Sequence, residues 1–284
     1  MPKWLRLLAV AVLIFKSMLH EFFATHPVFT AKELTAYLGR HKTRSRWTEK
    51  ALLAYHLRQK HIIRVRRSLY ATVAPGNKLD APSVDPYLLA ARMTDDAVLA
   101  YHTALEFHGR AYSAFQHFYY LTDSSARVIV YRNYRFQPVK FPRKLREQGN
   151  THFSVLDRER SGLPLRVTSL ERTFVDALDR PDLCGGWEEV WRSLESVEFF
   201  DLDQIVEYSL LLRNATTIAK VGFFLEQHRQ ALMVEESHLR SLREHRPRSP
   251  HYVARSNKPS GHLFPQWNLI VPTEVVERSW EEER

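Results

Sequence analysis

Cysteine is nearly absent: the 284 residues carry one, Cys184. A single thiol excludes an internal disulfide and a thiolate zinc site, and it suits a reducing cytoplasm. No activating neighbour of Cys184 is evident, so a reactive-thiol role is not expected. Glycine and proline, nine and fourteen residues, are too few and too scattered for low complexity. Glycine-rich phosphate loops, a GxSxG elbow and HExxH are all missing. The fourteen histidines do not pair at ligand spacings on an obvious helix, and His102 and His108, six apart, share no helical face. No metal, no cofactor and no catalytic residue is therefore expected, and the chain reads as a non-enzyme. Long apolar runs are missing too. Trp4–Phe15 (WLRLLAVAVLIF) is nearly unbroken but too short to span a bilayer, which takes about 20 apolar residues. No small-x-small cleavage site follows it. Residues 1–17 are expected to be an apolar extension with Met18 as the native start, and no membrane partner is expected.

Acidic residues are scarce in the first quarter of the chain. Residues 1–75 hold 14 Lys/Arg against 3 Asp/Glu, a net of +11, while residues 76–284 hold 27 against 29, a net of −2. Within Arg40–Arg67 ten bases face one acid, Glu49. The excess that gives the whole chain +9 thus sits in one segment, which points to a nucleic-acid partner for that segment.

The same segment has the pattern of a winged helix-turn-helix over 18–75. Met18–Thr25 (MLHEFFAT) supplies a first helix with Leu19, Phe22 and Phe23 facing inward. Thr30 and Glu33, three apart, form a capping-box signature for a second helix, with Gly39 as its stop. Ser45 caps a third, whose core stripe is Leu53 and Leu57. Its opposite face presents Thr48, Ala51, Tyr55 and Arg58 for the major groove of duplex DNA. Ile62–Val73 then reads as a two-stranded wing with a basic tip. The candidate DNA-binding residues are Arg44, Ser45, Arg46, Thr48, Tyr55, Arg58, Arg64, Arg66 and Arg67.

A linker follows at 76–85, rich in Pro, Gly, Asp and Asn, and a larger domain at 86–284. Pro86 opens a helix to about Met93, and Asp95–Phe107 reads as another. Short strands are expected at Phe118–Thr122, Arg127–Tyr131, Phe136–Phe141, His152–Leu156 and Leu165–Val167. Thr168 and Glu171 suggest a second capping box. Further helices are expected at Trp187–Val197, Leu202–Leu212, Thr216–Leu232 and Leu239–His245, and Trp267–Val271 as a last strand returning to the sheet. The fold class is α+β: a winged helix-turn-helix, then a mixed α/β domain with a short-stranded sheet and a C-terminal helical cluster.

Among carboxylates, Asp176 and Asp179 are three apart on one helix and could form a catalytic couple, although a solvated or ion-paired face fits the pattern better. Charge in the second domain is polarised. Glu171–Glu207 holds eleven acids and three bases, a net of −8; Arg127–Glu147 holds seven bases and one acid, a net of +6. Such a surface can meet a charged partner, and Glu188, Glu189, Glu195 and Glu198 are the candidate contacts.

Several stretches resemble the AbiEi-type antitoxins of type IV toxin–antitoxin and abortive-infection pairs. They are HPVFTAKEL, RVRRSLYATV, VDPYLLAARMTDDAVLAYHTALEFHG, RVTSLERTFVDALD, GGWEEVWRSLE and KVGFFLEQH, spread from about Glu21 to Trp280. The family commonly has Gly where this chain has Ser68, so the wing-tip geometry is the point of departure. The resemblance implies an N-terminal domain that binds inverted repeats in its own promoter and represses its operon. It also implies a C-terminal domain that neutralises a nucleotidyltransferase-like toxin, directly or indirectly. The alternative is a free-standing winged-helix regulator whose C-terminal domain binds a ligand or partner.

Overall fold

A computed structural model describes residues 17–40, 49–73, 84–253 and 261–278. The chain divides into two compact units: residues up to Ala97 with Asp157–Leu165, and Val98–Leu156 with Arg166–Arg284.

The first unit contains a winged helix-turn-helix. Helix α1 (residues 17–25) is followed by β1 (Val28–Thr30), α2 (Ala31–Arg40), α3 (Glu49–Arg58), β2 (Ile62–Arg66) and β3 (Leu69–Thr72). The three strands form an antiparallel sheet in the order β1-β3-β2. Strand β1 is not visible in the sequence pattern because three residues are too few to show a period. The expected capping box is present: Thr30 N–H donates to Glu33 Oε2 at 2.6 Å, and Glu33 N–H donates to Thr30 Oγ1 at 3.2 Å. Gly39 does not stop α2, which continues through Arg40. Phe22 is fully buried against Phe29 and Tyr37, with ring centroids 5.2 and 4.9 Å away, and Leu34, Leu52, Leu53 and Ile62 close the core.

The sequence boundary near 86 and the observed division differ. Helix α4 (Pro86–Ala91) and the residues to Ala97 group with the winged helix. Asp85 caps α4 through Tyr87 N–H and Leu88 N–H and ion-pairs with Arg160. Arg92, almost fully buried, donates to Glu33 Oε1 at 3.1 Å.

In the second unit the remaining elements are β4 (Val98–Leu99), α5 (His102–Phe107), β5 (His117–Leu121), β6 (Ile129–Tyr131), β7 (Tyr134–Val139) and α6 (Arg143–Gln148). The hairpin β8 (Val155–Arg160) and β9 (Leu163–Thr168) has its outer part, Asp157–Leu165, in the first unit. The sheet order is β6-β7-β5-β4-β9-β8. Helices α7 (Leu170–Asp179), α8 (Trp187–Glu195), α9 (Leu202–Leu212), α10 (Ala215–Gln227) and α11 (Glu236–Arg243) form the helical cluster. Strands β10 (His251–Tyr252), β11 (Gly261–Phe264) and β12 (Leu269–Pro272) precede α12 (Thr273–Glu277).

Three expectations are corrected here. The helix read over Asp95–Phe107 begins only at His102, because Val98 and Leu99 pair with β5 and β9 as a buried strand; a short apolar run fits either state. The cap of α7 is Ser169, whose hydroxyl accepts from Arg172 N–H. Thr168 is buried and turned to Thr173 Oγ1 at 2.7 Å. The last strand, β12, pairs with β10 and β11 in a sheet of its own. Gly222 on α10 lets the Trp267 ring approach that helix directly, where any Cβ would collide with it. Among the described residues, no helix is long and apolar enough to cross a membrane.

Candidate nucleic-acid interface

Helix α3 buries Leu52 and Leu53, which leaves Tyr55 and Arg58, three apart, exposed on the other side. Tyr55 packs edge-on against His56, with centroids 5.1 Å apart. His56 is half-buried, and its Nδ1 lies 3.2 Å from His61 Nδ1. Burial, reinforced by His61, lowers the His56 pKa to about 4, so this face gains no charge from His56 at neutral pH.

On the wing, β2 and β3 are joined by Arg67 and Ser68, with a bulge between Arg64 and Arg66. Ser68 adopts φ 63, the left-handed conformation that glycine takes without strain, and its carbonyl accepts from Ala31 N–H at 3.0 Å at the start of α2. Arg64 and Arg67 are exposed. Arg66 is not aimed outward: half-buried, it donates to the Met93 carbonyl, and its Nε is buried with no partner. It ties the wing to Met93, a contact within the first unit that the sequence pattern does not reveal. Arg44, Ser45, Arg46 and Thr48 lie outside the described residues. Of the candidate residues that are described, Tyr55 and Arg58 on α3 and Arg64 and Arg67 on the wing are exposed.

The four candidate glutamates of the second unit separate. Glu189 is buried; its Oε1 accepts from Ser113 N–H at 2.8 Å and lies 3.2 Å from His102 Nε2. These partners, His102 first, hold its carboxyl below the usual range against the opposing cost of burial. Glu188 pairs with Arg192 at 3.0 Å. Glu195 accepts from Trp191 Nε1 at 3.1 Å and pairs with His228 and Arg278 at 2.8 and 3.0 Å. Glu198 is exposed beside Phe199, itself 70% exposed. Glu189 is thus buried away from the surface, Glu188 and Glu195 are exposed but ion-paired within the unit, and Glu198 is exposed.

Asp176 and Asp179 do not form a couple. Asp176 is buried, accepting from Tyr208 Oη at 2.7 Å, with Arg172 Nε at 3.5 Å. Complete burial outweighs Arg172 and pushes its pKa up to about 6. Asp179 lines a separate cleft of about 700 Å³ with Arg180, Trp187, Thr217, Lys220 and His251. There Asp179 accepts from Asn214 Nδ2 at 3.1 Å and from the Thr217 hydroxyl. Lys220 Nζ donates to the Leu178 carbonyl at 3.1 Å and sits 5.3 Å from the Trp187 ring centre. The sequence pattern does not reveal this cleft because α7, α8, α10 and β10 build it jointly. Among the described residues no group of three His, Cys, Asp or Glu could hold a metal ion.

No family model matches the chain, and no curated protein does. Among solved structures it is similar to that of the RV2827C protein from Mycobacterium tuberculosis, at 16% identity over 94% of each chain, with a TM-score of 0.58. At that identity the likeness is one of fold.

The environment of Glu189 makes a direct test. Glu189→Ala should lower stability by about 2 kcal/mol, since it strands the Ser113 N–H and His102, while Glu198→Ala should leave the urea midpoint unchanged. Equal midpoints for the two variants would refute the assignment.

Proposed function

We propose that the chain is an AbiEi-type antitoxin that represses its own operon. Its first unit binds promoter DNA through α3 and the wing, and its second neutralises a nucleotidyltransferase-like toxin, with or without contact. It acts in the cytoplasm and carries no catalytic role. The observation that carries the DNA half is the winged-helix topology with Tyr55 and Arg58 exposed on α3 and Arg64 and Arg67 exposed on the wing. A helix in the groove with basic side chains beside it on the hairpin combines base reading with phosphate grip. The toxin half rests on the sequence resemblance, and its candidate surface narrows to the exposed Glu188, Glu195 and Glu198.

A second reading, a regulator controlled by a small ligand, is favoured by one observation: the cleft of about 700 Å³ in the second unit has the size of a ligand pocket. If it is right, a metabolite screen should raise the melting temperature of the wild type but not of Trp187→Ala. A screen without such a compound would count against it.

For the first reading, log K for promoter DNA should fall linearly with log salt at a slope near −5 if about six phosphates are contacted. Arg64→Glu with Arg67→Glu should weaken binding to all sequences alike, Tyr55→Ala should change sequence preference more, and Arg66→Ala should act mainly on stability. Salt-independent affinity, or full binding by the wing double variant, would refute it.

A further inference from the structure

The second unit carries its own concentration of positive charge, which the winged helix does not absorb. Strand β6 is the outer strand of the six-stranded sheet, paired only to β7. Arg127, Arg132, Arg135, Lys140, Arg143, Lys144 and Arg146 follow one another from just before β6, through β7, into α6, and all seven are exposed. Two acids temper them: Glu147 pairs with Arg143 and Lys144, and Asp123 lies 3.8 Å from Arg146. Arg127 and Arg135 form no ion pair among the described residues. Lys140 is fixed in place by the carbonyls of Asp123 and Ser124 at 2.8 and 2.9 Å, with its charge still exposed.

Aromatic rings interleave with these charges. Tyr131 and Tyr134 face each other in register across the turn of the β6–β7 hairpin, both half-exposed. The Arg132 guanidinium lies 5.4 Å from the Tyr131 ring centre, and Tyr134 is braced edge-on by Phe118 at 5.6 Å. Exposed Val130 and His117 stand in register on either side of Arg135. Successive strand residues alternate, so Arg135 lies with Val130 and His117 on the face of the hairpin opposite Tyr131 and Tyr134, and the bases flank this edge on both faces.

We propose that this edge of the sheet, β6–β7 with α6, is a second nucleic-acid site that binds single strands. Arg127, Arg132, Arg135 and Lys140 grip phosphates while Tyr131 and Tyr134 stack on bases. Single strands fit because braced aromatic rings between arginines serve unstacked bases, whereas a duplex keeps its bases out of reach of such rings. Charges on an outer strand also discourage edge-to-edge pairing of sheets. That role explains Arg127 and Arg132, which flank the uncharged β6; it requires neither the α6 bases nor the tyrosine pair.

The test uses the full chain and fluorescein-labelled oligo(dT), oligo(rU) and duplex DNA, read by anisotropy. Arg127→Glu with Arg132→Glu and Arg135→Glu should weaken single-strand binding by about tenfold or more and flatten its salt slope by about 2, with duplex binding unchanged. The wing pair Arg64→Glu with Arg67→Glu should do the reverse, so failure here is distinguishable from failure of the DNA reading above. Binding to oligo(rU) alone assigns RNA, and equal binding to both assigns either strand; each supports the site. Photo-crosslinking of the wild type to 5-iodouracil oligonucleotides, mapped by mass spectrometry, should mark Tyr131 or Tyr134 and needs no variant to fold. The proposal is overturned by single-strand binding that is absent, by affinity that survives in a folded triple variant, or by crosslinks confined to α3 and the wing.

Discussion

The carboxylate of Glu33 ties the first unit together. One oxygen closes the capping box on Thr30 and so fixes where α2 begins; the other takes the guanidinium of Arg92, 59 residues later. Arg66 makes a matching connection from the wing to the carbonyl of Met93. A half-buried carboxylate against a nearly buried guanidinium costs little while both are present and much when either is removed, since the survivor is left as an uncompensated charge. The constraint explains why Val84–Ala97 belongs with the winged helix. It also assigns the basic residues of this unit to two tasks: Arg66 and Arg92 hold it together, while Arg58, Arg64 and Arg67 face solvent.

Charge is arranged differently in the second unit. Two of its buried charged groups have internal partners: Asp176 has Arg172 and Tyr208, and Glu189 has His102 and Ser113. A net positive charge is left at the outer edge of the sheet, where seven exposed bases are offset by Glu147 and Asp123. Net charge alone would have hidden this edge, because residues 76–284 are nearly neutral. Local charge decides what a surface attracts within a Debye length of about 8 Å.

Much of the fold was legible because it is local. Thr30 and Glu33 announce α2 three residues apart, and the Arg67–Ser68 turn separates two runs of β-formers. Misreadings arose where a distant partner decided the outcome. Thr168 and Ser169 are both good caps, and Thr168 is diverted because it sits in the core against Thr173. Val98 and Leu99 fit a helical period until β5 and β9 claim them as a strand. Glu189 looked like one more acid in an acidic run; its burial depends on His102 and Ser113, 87 and 76 residues away. Arg66 could not be told from Arg67 by sequence, since only its contact with Met93 separates them. The site was thus readable as a charged segment, but not residue by residue.

The central proposal is that duplex DNA binds α3 and the wing of the first unit. Hydrogen–deuterium exchange of the full chain, with and without promoter duplex, tests it most directly. The account expects slowed exchange in peptides covering Glu49–Arg58 and Ile62–Thr72, with peptides from α8 to α10 unchanged. Protection confined to the second unit, with α3 and the wing exchanging as in the free protein, would contradict it.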